Sequence, residues 1–177
     1  MKQGYILEGQ HMVSQHVFLV GMAGSGKSTL GKNLANSLGV PFIDTDERVS
    51  AMMGMSVQDV CKKLGESFYH NAETGVLMEL VGETPSVITT GSDVPMMKEN
   101  VQLMQNHGLI IHVDRPLDQL LADRLTEIGT GSGRDELIQR YNQSIGFYRA
   151  CADYTVDNDR GIAVGVQKII ALVHRVI

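Results

Sequence analysis

The stretch Gly21-Met22-Ala23-Gly24-Ser25-Gly26-Lys27-Ser28-Thr29 decides the fold, because it fits the pattern G-x-x-x-x-G-K-[ST] of a phosphate-binding loop. Its glycines let the backbone curl so that N–H groups point inward, and a helix that begins directly after them adds its positive end. We expect Lys27 to reach the β- and γ-phosphates of a nucleoside triphosphate and the Ser28 hydroxyl to bind Mg²⁺. A glycine-rich turn without a ligand remains an alternative. A dinucleotide loop is a weaker one, because the G-x-G-x-x-G spacing is absent.

Short apolar runs alternate with helical patterns on both sides of this loop. Residues 16–20 (HVFLV) predict a buried strand, and residues 27–38 predict a helix that ends at Gly39. Further strands are predicted at residues 40–43, 86–90, 109–113 and 154–156. Further helices are predicted at residues 57–80 (broken near Gly65, weakened at Gly75), 116–127, 135–150 and 162–176. This alternation predicts a three-layer α/β/α fold with a five-stranded parallel sheet, and GTGSG at residues 129–133 predicts a flexible loop.

Length and composition limit the class of protein. The 177 residues suit a single domain over residues 13–177, preceded at residues 1–12 by a leader or an arm carried over from expression. The net charge of −5 and the lack of a basic block argue against a nucleic-acid or membrane-surface binder. No apolar run approaches about 18 residues, so we expect no membrane span. The two cysteines lack metal-type spacing, which favours a reducing cytoplasm.

Two carboxylates follow the second predicted strand in the run Ile43-Asp44-Thr45-Asp46-Glu47. Ligands of an open parallel sheet lie beyond the carboxyl ends of its strands, so this pair is expected beside the phosphate loop. One carboxylate could hold the water shell of the metal, and the other could accept a proton from an attacking hydroxyl. Alternatively, Asp46 only caps the next helix.

At this point the chain resembles the shikimate kinase family, small P-loop kinases that transfer the ATP γ-phosphate to a ring hydroxyl. The resemblance rests on GMAGSGKSTLGKNLA (residues 21–35), PFIDTDERV (41–49), GMSVQDV (54–60), GESFYHNAE (65–73), VITTG (87–91) and ADYTVD (152–157). It implies a five-stranded parallel sheet, a helical substrate-binding region and a lid at about residues 128–135.

The resemblance also implies roles for single residues. Lys27 and Ser28 keep their phosphate and Mg²⁺ roles, and Asp44 resembles the residue that orients metal-bound water. Asp46 resembles the one that holds and activates the substrate hydroxyl. Arg134 resembles a lid residue that closes on the γ-phosphate. Arg124 and Arg160 resemble residues that flank adenine.

The chain departs from the family where the family binds a substrate carboxylate, with two arginines and a Gly-Gly-Gly turn. His70 takes the place of the first arginine, and Ser144 that of the second. The glycine turn reads Gly91-Ser92-Asp93. Arg140 lies one helical turn before Ser144 and could compensate, or it could be a solvated helix arginine. Neither His nor Ser replaces the permanent charge and forked geometry of Arg, so we expect weakened carboxylate recognition.

Together these features predict an ATP- and Mg²⁺-dependent kinase that phosphorylates a hydroxyl of a small metabolite, nominally shikimate. Two alternatives stay open: a kinase for another hydroxylated metabolite or a nucleotide, and a catalytically weak nucleotide-sensing member of the family. We expect a cytoplasmic monomer with a small-molecule substrate and with neither a nucleic-acid nor a membrane partner.

Overall fold

The computed structural model describes residues 13–124 and 132–176, and these contain one sheet of five parallel strands. The strands are β1 (His16–Val20), β2 (Phe42–Asp44), β3 (Val87–Thr89), β4 (Gly108–Asp114) and β5 (Tyr154–Asp157). Their spatial order is β2-β3-β1-β4-β5, and Phe18 of the central strand lies between Ile88 of β3 and Ile110 of β4. The predicted parallel sheet is therefore confirmed.

Eight helices accompany the sheet in the described residues. They are α1 (Lys27–Leu38), α2 (Thr45–Met53), α3 (Val57–Leu64), α4 (Glu66–Leu80), α5 (Lys98–His107), α6 (Leu117–Asp123), α7 (Ser132–Cys151) and α8 (Ile162–Val176), with a 3₁₀ turn at Val94–Met96. None of them is both long and apolar enough to cross a membrane.

Sequence reasoning missed α2, α5 and the 3₁₀ turn, and it misplaced several ends. The predicted break at Gly65 is present, but α4 runs through Gly75 without interruption. Helix α7 begins at Ser132, so the last residues of the predicted flexible loop are helical. The rest of that loop, residues 128–131 of the predicted lid and residues 1–12 lie outside the described residues.

The alternating side chains of β1 separate two hydrophobic cores. Val17 and Leu19 pack with α1 and α8 on one face of the sheet, whereas Phe18 and Val20 pack with the remaining helices on the other. Because each face of the sheet is covered, the fold has the three predicted layers. The loop after β1 is thereby held at the centre of the sheet's carboxyl edge.

Helix α1 approaches the sheet closely at Gly31. A Cβ atom added there would lie 2.7 Å from the Phe42 ring and 2.9 Å from the Thr89 methyl group. Gly146 of α7, in contrast, has open space around its Cα atom. The two helical glycines thus form a matched pair for testing how closely α1 must pack.

We predict opposite effects for the same substitution at these two positions. Gly146→Ala should raise the free energy of unfolding by about 0.5–1 kcal/mol through helix propensity alone. Gly31→Ala should lower it by about 1 kcal/mol or more, because overpacking exceeds that gain. Urea unfolding at equilibrium measures both values. Equal stabilisation by the two substitutions would contradict the close packing of α1.

Candidate active site

The phosphate loop is shaped by three glycines with positive φ. Gly21, Gly24 and Gly26 have φ values of 147°, 83° and 91°, which favour residues without a Cβ atom. The loop curls around Lys27, whose Nζ donates hydrogen bonds to the carbonyls of Gly21 (2.7 Å) and Met22 (2.9 Å). This backbone geometry, followed directly by α1, is that of an anion-binding loop.

Two buried groups in this loop suit a phosphate ligand. Burial lowers the pKa of Lys27 to about 8, although the nearby carboxylates of Asp46 and Asp44 oppose this effect. The Ser25 hydroxyl is buried and has no hydrogen-bond partner among the described residues. A phosphate group would give the Lys27 ammonium negatively charged hydrogen-bond acceptors and so raise its pKa again.

Asp44 connects the phosphate loop to the neighbouring strands. Its Oδ2 accepts hydrogen bonds from the hydroxyls of Ser28 (2.7 Å) and Thr89 (3.0 Å). Its Oδ1 accepts from the backbone N–H of Asp46 (3.0 Å) and so caps α2. The alternative role of Asp46 as the helix cap is therefore wrong, because Asp44 takes that role.

The oxygens of Ser28 and Asp44 suit a hard divalent cation. Mg²⁺ prefers oxygen ligands and uses one or two protein groups together with substrate phosphates. The described residues contain no cluster of three or more acidic, histidine or cysteine side chains that could hold a metal by themselves. A hydroxyl and a carboxylate are nevertheless ligands of the type that Mg²⁺ uses beside substrate phosphates.

Asp46 lies next to a buried network on α2 and α4. Its Oδ1 accepts a short hydrogen bond from the Tyr69 hydroxyl. Burial raises the pKa of Asp46, and the bond from Tyr69 opposes that rise. Burial, the charge of Glu73 and the bond to Asp46 raise the pKa of Tyr69 well above its usual range, so its hydroxyl stays protonated. Asp46 is thus a carboxylate suited to accept a proton.

Glu73 fixes the other end of this network. Its side chain is 1% exposed, and its Oε1 accepts hydrogen bonds from the Thr45 hydroxyl and the Gly91 N–H, both at 2.7 Å. Burial raises its pKa to about 7, and the hydrogen bond from Thr45 limits the rise. A side chain at position 91 would collide with the Glu73 carboxylate and the Tyr69 hydroxyl. Gly91 is therefore required by packing against Glu73.

Asp46 lines the cleft of the phosphate loop and also a second cleft. The second cleft has a volume of about 370 Å³. Predicted substrate residues lie along it, namely His70, Ser92, Asp93 and Arg140. Asp93 Oδ2 lies 3.3 Å from the Arg140 guanidinium and 3.4 Å from His70 Nε2. The structure thus brings Arg140 to the cleft, where its guanidinium contacts a carboxylate of the chain itself.

Ser144 does not line this cleft. It is 1% exposed and borders an adjoining cavity, and three residues of the cleft, His70, Asp93 and Arg140, line that cavity too. The other residues that line it are Met96, Met97, Gln143 and Phe147. One turn further along α7, the buried hydroxyl of Tyr148 donates a 2.8 Å hydrogen bond to the carbonyl of Ser92. This bond anchors the loop that carries Gly91, Ser92 and Asp93.

The structure places the two arginines predicted to flank adenine in different surroundings. Arg124 ends α6 beside Gly24. Arg160 is 78% exposed and pairs with Asp159 at 3.7 Å. The cavity on this side of the loop is lined instead by Arg115 and Asn158, among others.

The predicted lid residue, Arg134, lies in the first turn of α7 and is exposed. Sequence reasoning also missed Thr45, Tyr69, Glu73 and Tyr148 as parts of the site. Tyr69 and Glu73 are four residues apart on a helix, a spacing that places both on one face, and this signal was available. Nothing in the sequence shows that Tyr148 reaches Ser92.

Comparisons with known proteins point to one family and one fold. A family model described as shikimate kinase matches residues 23–174. A shikimate kinase of Clostridium beijerinckii is 33% identical over 157 residues, which cover 86% of this chain and 91% of the relative. A shikimate kinase of Nitrosomonas europaea is 31% identical and covers 88% of this chain and 76% of the relative. Among solved structures, a shikimate kinase from Acinetobacter baumannii in complex with shikimate has a TM-score of 0.84 at 26% identity, covering 93% of this chain and 95% of that one.

The raised pKa of Glu73 predicts how stability changes with pH. Between an unfolded value near 4.5 and a folded value of about 7, the folded protein binds more protons than the unfolded chain. The free energy of unfolding must therefore fall as pH rises through this range, by up to about 3 kcal/mol from this group. Glu73→Gln should remove that contribution, so we expect the variant's stability relative to the unmodified protein to rise between pH 5 and pH 8.

Urea unfolding of both proteins at pH 5 and pH 8 tests this expectation. Taking the difference between the proteins cancels the other titrating groups. A difference that stays constant with pH, or that changes in the opposite direction, would contradict a raised pKa of Glu73 in the folded protein.

Proposed function

The chain belongs to the shikimate kinase family, and from this premise we propose that it transfers the γ-phosphoryl group of ATP to a hydroxyl of a small metabolite, with shikimate as the nominal acceptor. One observation carries the proposal: Asp46 lines both the cleft of the phosphate loop and the cleft beside His70 and Asp93. A carboxylate at that junction is where an acceptor hydroxyl would meet a terminal phosphate.

ATP would bind with its phosphates over residues 21–29. Lys27 would exchange its contacts with the carbonyls of Gly21 and Met22 for phosphate oxygens. Ser28 and Asp44 would hold Mg²⁺, which, when bound, neutralises charge on the transferred phosphoryl group. The nucleoside would lie on the side of the loop that carries Arg124, Arg115 and Asn158, with Arg160 at its margin.

Asp46 would orient the acceptor hydroxyl and accept its proton, since burial makes this carboxylate more basic than usual. Tyr69 positions Asp46 through their hydrogen bond. Arg134 would approach the γ-phosphate from the lid. Catalysis then depends on positioning and charge neutralisation, without a covalent intermediate.

We also propose that residues 13–177 act as one domain and that the protein is a cytoplasmic monomer. The single sheet of the described residues supports one domain. The acidic net charge of −5 is consistent with a small-molecule substrate and does not favour a nucleic-acid partner.

Lys27→Ala should remove most of the affinity for Mg·ADP and Mg·ATP. A hydrogen bond to a charged group contributes about 1.5–3 kcal/mol, so we expect a loss of at least about tenfold. Lys32→Ala is the matched control, because Lys32 is on the same helix but is exposed, with its ammonium 3.5 Å from Glu47 and 5.5 Å from the centre of the Phe42 ring. Titration calorimetry gives both affinities. Unchanged binding by the Lys27 variant would overturn the assignment of the phosphate loop.

A coupled assay of ADP release with shikimate tests the activity itself. We expect ADP formation that depends on the acceptor and on Mg²⁺ and that is absent in Lys27→Ala. Nucleotide binding without acceptor-dependent ADP formation, for shikimate and for neutral analogues of its ring, would favour the nucleotide-sensing alternative.

Tyr69→Phe should shift the pH dependence of turnover. The bond from Tyr69 lowers the pKa of Asp46, so its loss should move the acidic limb of the kcat/KM profile to higher pH. Tyr154→Phe on β5 serves as the control for loss of a phenol hydroxyl. Affinity for Mg·ADP should stay unchanged in both variants. An unshifted profile in Tyr69→Phe would mean that Tyr69 does not act on Asp46.

A further inference from the structure

Asp93 lies at the second cleft, the one beside Asp46 and His70, which we call the acceptor cleft. Its loop follows β3, where the Gly91 N–H bonds to Glu73 and the Ser92 carbonyl accepts from Tyr148. The side chain of Asp93 is 23% exposed, and it lines the cleft beside Asp46 as well as the adjoining cavity. The backbone that leads to Asp93 is therefore held by side chains of α4 and α7.

Basic groups from two helices converge on this carboxylate. Arg140 approaches from α7 at 3.3 Å and His70 from α4 at 3.4 Å, and both contact Oδ2. His70 is charged only if protonated, so Arg140 is the permanent cation of the cluster. A carboxylate of the chain thus binds the groups that could otherwise bind a carboxylate of a ligand.

The charges of the other residues that line the cleft also disfavour a negatively charged ligand. Among its lining residues, Asp46, Glu66 and Asp93 are acidic, whereas Lys62 and Arg140 are permanently basic. An anionic substituent entering beside Arg140 would meet the negative charge of Asp93 at short range. The two negative charges would repel each other in a site where solvent screens them only partly.

We propose that Asp93 is a specificity-determining residue that occupies the anion-binding position of the cleft, so that the enzyme selects an uncharged polyhydroxylated ring over a carboxylated one. This inference rests on the proposed function and names the substrate class of the same site. A hydroxyl of the acceptor can donate a hydrogen bond to Asp93, and a hydroxyl or ester oxygen can accept one from the remaining N–H donors of Arg140. The adjoining cavity of about 440 Å³ gives room for a substituent larger than a carboxylate.

A pair of ligands that differ in this one charge tests the proposal. Shikimate and methyl shikimate share the ring and its hydroxyls, but the ester lacks the carboxylate charge. Titration calorimetry in the presence of Mg·ADP should show that the unmodified protein binds the methyl ester about tenfold more tightly or better. Steady-state assays of ADP release should show the same preference in kcat/KM.

The Asp93→Asn variant should remove this preference, since it keeps the shape of the side chain and removes its charge. We expect its affinity for shikimate to rise about tenfold or more, with little change for the methyl ester. Asp93→Gly should act in the same direction if the asparagine variant folds poorly. Glu79→Gln removes one negative charge at the exposed far end of α4 and should leave both affinities unchanged.

The outcomes separate this inference from the proposed function. Tight shikimate binding by the unmodified protein that Asp93→Asn does not improve would overturn the role of Asp93 and leave the kinase activity intact. The expected binding preferences without any ADP formation would support the role of Asp93 and contradict the kinase activity. Failure of both ligands to bind the unmodified protein and the Asp93 variants would overturn the inference.

Discussion

The catalytic edge of this molecule depends on one carboxylate, that of Asp44. It accepts hydrogen bonds from Ser28 at the start of α1, from Thr89 at the end of β3, and from the backbone at the start of α2. Three elements that are distant in sequence are thereby fixed relative to the phosphate loop. Carboxylate oxygens are also ligands that divalent cations prefer, so the same point is suitable for Mg²⁺.

The buried network around Glu73 continues this framework toward the acceptor side. Thr45 and Tyr69 link α2 to α4, and the N–H of Gly91 links both helices to the strand edge. Its burial makes the charge of Glu73 unfavourable, which is why its pKa is raised to about 7. Such a network holds its side chains in position at a cost in stability, because it retains a partly ionised buried group where an apolar side chain would make the protein more stable.

The sequence predicted the parts of this arrangement that depend on local pattern. Residues 21–29 predicted a phosphate loop between a strand and a helix, and the run around Asp44 and Asp46 predicted carboxylates beside it. What could not be predicted are contacts between elements far apart in the chain. The bond of Tyr148 to Ser92 spans 56 positions, and that of Asp93 to Arg140 spans 47. Helix α2 was missed because only nine residues form it and its capping residue is also a site residue.

The framework around Asp44 and the cluster around Asp93 are built from different residues. The framework uses hydrogen bonds among β2, β3, α1 and α2, whereas the cluster joins α4 and α7 through one loop carboxylate. The shared connection is the backbone of residues 91–93, held by Glu73 and Tyr148. Side chains at positions 70, 93 and 140 can therefore change the charge of the acceptor cleft without moving the phosphate loop or Asp46. This separation allows the chain to keep the fold of its family, at 33% identity to a shikimate kinase, independently of the charges that its second cleft carries.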